Sequence, residues 1–136
     1  MKTSTLLRIA LLPLALAFAG AGQAQTMSSA EYAAAKKQIK ADYKAAKAQC
    51  DKLKGNAEDV CEAEAKGKEK VAEAELQHRR EATPANARKV AEAKAEADYK
   101  VAKERCDDSS GEQKDACVKE AKAAEASAKA QAKAMQ

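Results

Sequence analysis

The sequence predicts an all-α protein built from two tandem, disulfide-stapled helical hairpins. Their four helices are expected to form a loose bundle or an elongated, coiled-coil-like arrangement. Three observations lead there. First, the chain repeats itself without a gap at an offset of 56 residues, the distance from Cys50 to Cys106. Ala41-Asp42-Tyr43-Lys44 recurs as Ala97-Asp98-Tyr99-Lys100, and Gly55, Asp59 and Glu64-Ala65-Lys66 recur as Gly111, Asp115 and Glu120-Ala121-Lys122. An internal repeat has to be recognised before a fold is assigned, because each copy is then one supersecondary unit. Second, each copy carries two cysteines separated by ten residues, Cys50 and Cys61, then Cys106 and Cys117. Third, Tyr32, Ile39, Tyr43, Ala46, Cys50 and Leu53 recur at spacings that put one stripe on a helix.

The first copy is preceded by a leader. Residues 1–24 read as a secretory signal peptide, with Lys2 and Arg8 as its basic start and an apolar run from Ile9 to Phe18. Small residues at Ala19-Gly20-Ala21 and Gly22-Gln23-Ala24 offer cleavage after Ala24 or after Ala21. The apolar run falls short of the ~20 residues that cross a bilayer. No second run exists, so no transmembrane segment is expected after cleavage. Export places the cysteines in an oxidising compartment, where matched cysteines in a short chain form disulfides. Four cysteines allow three pairings; pairing within each copy, Cys50–Cys61 and Cys106–Cys117, is the one expected.

The first hairpin repeat occupies residues 25–82. Ser28 and Glu31 form a candidate capping box at the start of helix 1, which is expected to reach about Leu53. Gly55 suits the residue after that helix, since it reaches left-handed dihedrals without steric cost. Asn56 is a candidate N-cap for helix 2, followed by Glu58 and Asp59 in the first turn, where acidic groups suit the helix dipole. Helix 2 is expected over about 57–80, with Glu62–Lys66 and Glu64–Lys68 as supporting pairs. Folding at the turn sets Cys50 against Cys61, Ala46 against Ala65, Ile39 against Ala72 and Ala35 against Leu76. One continuous helix would hold the two sulfurs some 16 Å apart, far beyond the roughly 4.4–6.8 Å Cα separation a disulfide needs.

The second repeat occupies residues 83–136. Thr83 can cap and Pro84 suits the first helical position, marking a joint between copies, as a break or a kink. Helix 3 is expected over about 84–107. Asp108-Ser109-Ser110-Gly111 is the second turn, with Ser110 and Gln113 as a second candidate capping box. Helix 4 fades into Ala/Lys/Gln repeats whose end is expected to fray.

Composition limits the core. Hydrophobic residues make up 46% of the chain, but alanine dominates them, and there is no tryptophan. Alanine favours helix while burying little area, so helices should form readily around a thin core that needs its staples. The net charge of +4 includes Lys2 and Arg8, so the mature chain carries +2. A near-balanced, exported chain with few aromatics does not suit nucleic acid.

No catalytic pattern stands out. His78 is the sole histidine and sits among Gln77, Arg79 and Arg80, where it reads as a solvated surface group. The cysteines lack the spacing of a zinc site, and no metal or cofactor is expected. Nothing resembles a nucleophilic triad or a phosphate loop, so the chain reads as non-enzymatic. Lys36, Lys40, Lys44 and Lys47 line one face of helix 1 and could contact anionic envelope polymers or lipid headgroups.

Segments such as Tyr43-Lys44-Ala45-Ala46-Lys47 and Ala121-Lys122-Ala123-Ala124 resemble the Ala/Lys/Glu-rich helical region of TolA-type cell-envelope proteins. The tyrosines, the paired C-x10-C spacing and Lys54-Gly55-Asn56-Ala57-Glu58-Asp59-Val60-Cys61 resemble small exported bacterial proteins labelled TolA-like. That resemblance implies a periplasmic or secreted protein and carries no catalytic residue with it. TolA's membrane anchor and C-terminal globular domain have no counterpart here.

The sequence thus predicts an exported, non-enzymatic helical protein of the bacterial periplasm or envelope, with a structural or protein-interaction role. Its partner is expected to be an envelope protein or an anionic envelope polymer, and a homo-oligomer is compatible with the seams. Two alternatives stand beside it: a stress-protective polyampholyte, disordered until bound or dried, and a binder of anionic surfaces through the lysine face.

Overall fold

The computed structural model describes residues 27–135, which form four helices and no strand. The expected signal peptide and its cleavage site lie outside the described residues. Helix α1 spans Ser29–Cys50, α2 Asn56–Arg80, α3 Pro84–Cys106 and α4 Gly111–Ala134. Both expected disulfides are present: Cys50–Cys61 with Cα atoms 5.4 Å apart, and Cys106–Cys117 with Cα atoms 5.6 Å apart.

Side-chain caps fix two of the four helix starts. At α1, Ser28 Oγ accepts from the Glu31 amide at 3.2 Å, and the Ser28 amide donates to the Glu31 carboxylate at 2.8 Å, completing the expected capping box. At α3, Thr83 Oγ1 accepts from the Asn86 amide at 3.1 Å and Pro84 opens the helix. The joint is therefore a break. Asn86, only 5% exposed, holds it from the inside: its Nδ2 donates to the Glu81 carbonyl at 2.8 Å.

Both hairpin turns depart from expectation. Helix α1 stops at Cys50 rather than near Leu53, and Gly55 stands directly before α2 instead of following α1. Asn56 is the first residue of α2, and no side chain caps that end. Gly55 and Gly111 take φ of +60° and +57° at matching points of the two turns. Glycine is needed there for backbone freedom, since a Cβ at either position would meet nothing. Ser110 precedes α4 without a side-chain hydrogen bond, so the expected box with Gln113 does not form. Helix α4 continues to Ala134, and Ala132 in its last turn is 1% exposed.

Each helix packs only on its neighbours in sequence: α1 on α2, α2 on α3, α3 on α4. The four do not close into a bundle. They form an open, single-layer row, and the α2–α3 contact between hairpins is the most extensive. Its tightest point is Gly67, where a Cβ would come within 2.8 Å of Ala97 Cβ. Buried positions repeat with the sequence, as Cys50 and Cys106, Ala65 and Ala121, and Leu76 and Ala132 are buried in pairs. Among the described residues, Leu76 is the only large aliphatic side chain that is fully buried. The thin core expected from composition is what the row contains.

Candidate interaction surfaces

Ion pairs run both along helices and between them. The expected pairs Glu62–Lys66 and Glu64–Lys68 are absent among the described residues. Instead, Lys47 bridges α1 to Glu62 of α2, Arg105 of α3 reaches Glu64 at 2.8 Å, and Lys94 of α3 reaches Glu75 at 2.9 Å. The first residue of an expected pair, in each case, has a partner across the seam at closer reach than its i,i+4 neighbour. Glu96 of α3 accepts from Lys100 of its own helix at 2.8 Å and from Lys70 of α2 at 3.1 Å. Those two ammonium groups, Lys100 first, lower its pKa to about 2.

The α1–α2 seam is lined by the tyrosines of the predicted stripe. Tyr32 donates to Gln77 Oε1 at 3.1 Å, and the Arg80 guanidinium lies 4.5 Å from the Tyr32 ring centre. Lys66 lies 4.7 Å from the ring centre of Tyr43. Both rings are half-buried, so the stripe packs a seam.

The four lysines singled out on α1 separate into two groups. Lys36, Lys40 and Lys44 are exposed and line one open stretch of surface with Lys37, Ala33 and Ala41. None of these lysines makes an ion pair among the described residues. Lys47, on the same side of α1, instead reaches across the seam to Glu62. The hydrogen bonds it donates to Glu62 and then to Asp51 raise its pKa above the ordinary lysine value. It is engaged and does not extend the lysine face; Lys37, missed in the sequence, does.

Two further places gather titratable groups. Asp51, Glu58 and Glu62 bring carboxylate oxygens within 4.8 Å of one another. Lys47 supplies their cation, through Glu62 and through Asp51 at 3.2 Å. His78 is half-buried rather than solvated: it lines a shallow hollow with Glu75, Arg79, Ala87 and Val90, and its buried Nδ1 meets no partner among the described residues.

A groove of about 750 Å³ runs along α2 and α3, with Cys117 at its edge. Gly67, Val71, Ala72, Ala97, Val101 and Ala102 form its floor, and Glu64, Lys68, Glu75, Lys94, Asp98 and Arg105 carry its charge. Sequence reasoning passed over this surface. Its one signal was Gly67, an isolated glycine inside a strong helix former's run, which marks a close backbone approach.

No helix among the described residues is long and apolar enough to cross a membrane. Comparison with family models, with curated proteins and with solved structures finds no match.

Proposed function

We propose that the chain is a non-enzymatic helical module of the bacterial periplasm or cell envelope, acting through contacts its surfaces make with other envelope components. The observation that carries this reading is the pair of disulfides, one closing each hairpin of a row that has almost no core. Such staples are useful only where thiols stay oxidised. The same thin row leaves its groove and its lysine face open to partners. After cell fractionation, the chain should be recovered in the periplasmic fraction with both disulfides formed. Added to isolated envelopes, the oxidised protein should bind saturably. Recovery from the cytoplasm with reduced thiols, or the absence of saturable binding, rejects the reading.

A specific observation favours anionic surfaces as one such component. Lys36, Lys37, Lys40 and Lys44 stand together on the outermost helix with no carboxylate partner among the described residues. Vesicles containing anionic phospholipid should adsorb the protein in a salt-sensitive way. Changing Lys36, Lys40 and Lys44 to Gln should abolish that adsorption, whereas Lys47→Gln should leave it intact. Equal adsorption to neutral vesicles contradicts this second reading.

A further inference from the structure

A single layer of helices is an incomplete domain. Stable domains pack two or three layers, because a helix must bury its apolar stripe against something. In this row the two sides of the central helix pair are unlike. One side is closed by the Lys70–Glu96–Lys100 ion pairs. The other is the apolar-floored groove of Val71, Ala72, Val101 and Ala102. The groove side lacks its second layer.

We propose that a second copy of this chain supplies it, through an isologous dimer that stacks the two α2–α3 faces about a two-fold axis parallel to the helices. This goes beyond the proposed envelope role and does not depend on it. The charges around the floor select this occupant. Lys68 on α2 and Asp98 on α3 are exposed, stand at the same level of the pair as Lys70 and Glu96, and make no ion pair among the described residues. A two-fold axis along the helices keeps every residue at its level and sets α2 of one copy over α3 of the other. Each Lys68 then meets the Asp98 of the facing copy. By the same operation Glu75 faces Lys94 and Glu64 faces Arg105, pairs already matched in sign within one chain. The valines of both copies meet between them. A closed interface of this kind uses the same patch twice and requires that patch to be self-complementary. This one is: three acids and three bases, each opposite its counter-charge. The product is a four-helix core made from two helices of each copy.

The test is a charge exchange read by sedimentation equilibrium on the oxidised protein. The unaltered protein should be a dimer. Lys68→Asp puts like charges opposite each other twice per interface, and Asp98→Lys does the same with the opposite sign. Each should weaken dimerisation by about tenfold or more with helicity unchanged by circular dichroism. Mixing the two variants should restore association, since every facing pair is then of opposite sign. The double variant K68D/D98K should dimerise as the original does. A monomer at every concentration overturns the proposal and leaves the groove to another occupant. Single variants that dimerise normally, or a mixture that fails to associate, overturn it equally.

Discussion

Helices α1 and α3 hold the same place in the two copies, yet one is an edge and the other an interior helix. Lys36 and Lys40 of α1 correspond to Glu92 and Glu96 of α3, and Ala45 corresponds to Val101. In α3 those acids are paired, Glu92 with Arg88 and Glu96 with Lys70 and Lys100. In α1 the same positions are exposed lysines without partners among the described residues. The difference follows from neighbours. Helix α3 is flanked by α2 and α4, so its sides need counter-charges and small apolar residues. Helix α1 is flanked by α2 alone, and its outer side has no such constraint. Duplication supplied one hairpin frame, and position in the row decided what each face carries. Helix α4, the other edge, agrees: Ser127 and Ala123 stand where α2 has Val71 and Gly67. Edges stripped of large apolar groups resemble the capping units that end repeat arrays.

The comparison breaks if the two hairpins turn out unequal where the structure makes them alike. Each disulfide closes a loop with a sequence separation of 11, so removing either should cost about 3 kcal/mol. Paired Cys→Ala variants of Cys50 with Cys61, and of Cys106 with Cys117, should therefore show equal losses in denaturant melts. A large asymmetry would mean that one hairpin is held by something other than its staple.

A smaller effect sharpens the contrast between edge and interior. Ala97 sits where α2 approaches most closely, so Ala97→Leu should overpack the seam and cost about 1–3 kcal/mol. Its counterpart Ala41 is exposed, so Ala41→Leu should change stability by less than about 0.5 kcal/mol. Gly67→Ala belongs with the first case. Alanine favours a helix by about 1 kcal/mol over glycine, but here its Cβ would press on Ala97, and thermal melting should show a net loss. Equal tolerance at positions 41 and 97 would contradict the open row.

The smallest effect is electrostatic. Glu96 is held down to about 2 by Lys100 and Lys70, below its ordinary value. A depressed carboxyl stabilises the folded state above its unfolded pKa, and that stabilisation disappears as pH falls through the folded value. Acid titration should therefore reveal a loss between pH ~4.5 and ~2 that Glu96→Gln removes. Lys40→Gln, at the matching place in α1, should leave the acid profile unchanged.

What could be read from the sequence depended on the range of the interaction. Hairpins, staples and the caps at Ser28 and Thr83 are written within a dozen residues, and the structure bears them out. The cysteines also fix register inside each hairpin, so Ala65 and Leu76 fall on the buried side as expected. Nothing comparable fixes register across the joint. The contact of Gly67 with Ala97, the ion pairs of Glu64 and Glu75, and the groove depend on how α2 meets α3, which no local spacing encodes. The choice between bundle and row was hidden for the same reason: closing a bundle requires α1 to find α4, and alanine-rich faces specify no partner at that distance. The lysine face was half legible. Spacing placed Lys36, Lys40 and Lys44 together but could not reveal that Glu62 and Asp51 would claim Lys47.

The packing of every helix on its chain neighbours alone has a kinetic consequence. No helix has to wait for a distant segment, and proteins dominated by local contacts fold fastest. Under the proposed export, a chain delivered end first across a membrane can close its first hairpin, and oxidise Cys50 with Cys61, before Cys106 has emerged. Under that export, order of arrival then works against pairing between copies. In that order the second hairpin would form on a finished template, with α3 docking onto an α2 already stapled in place.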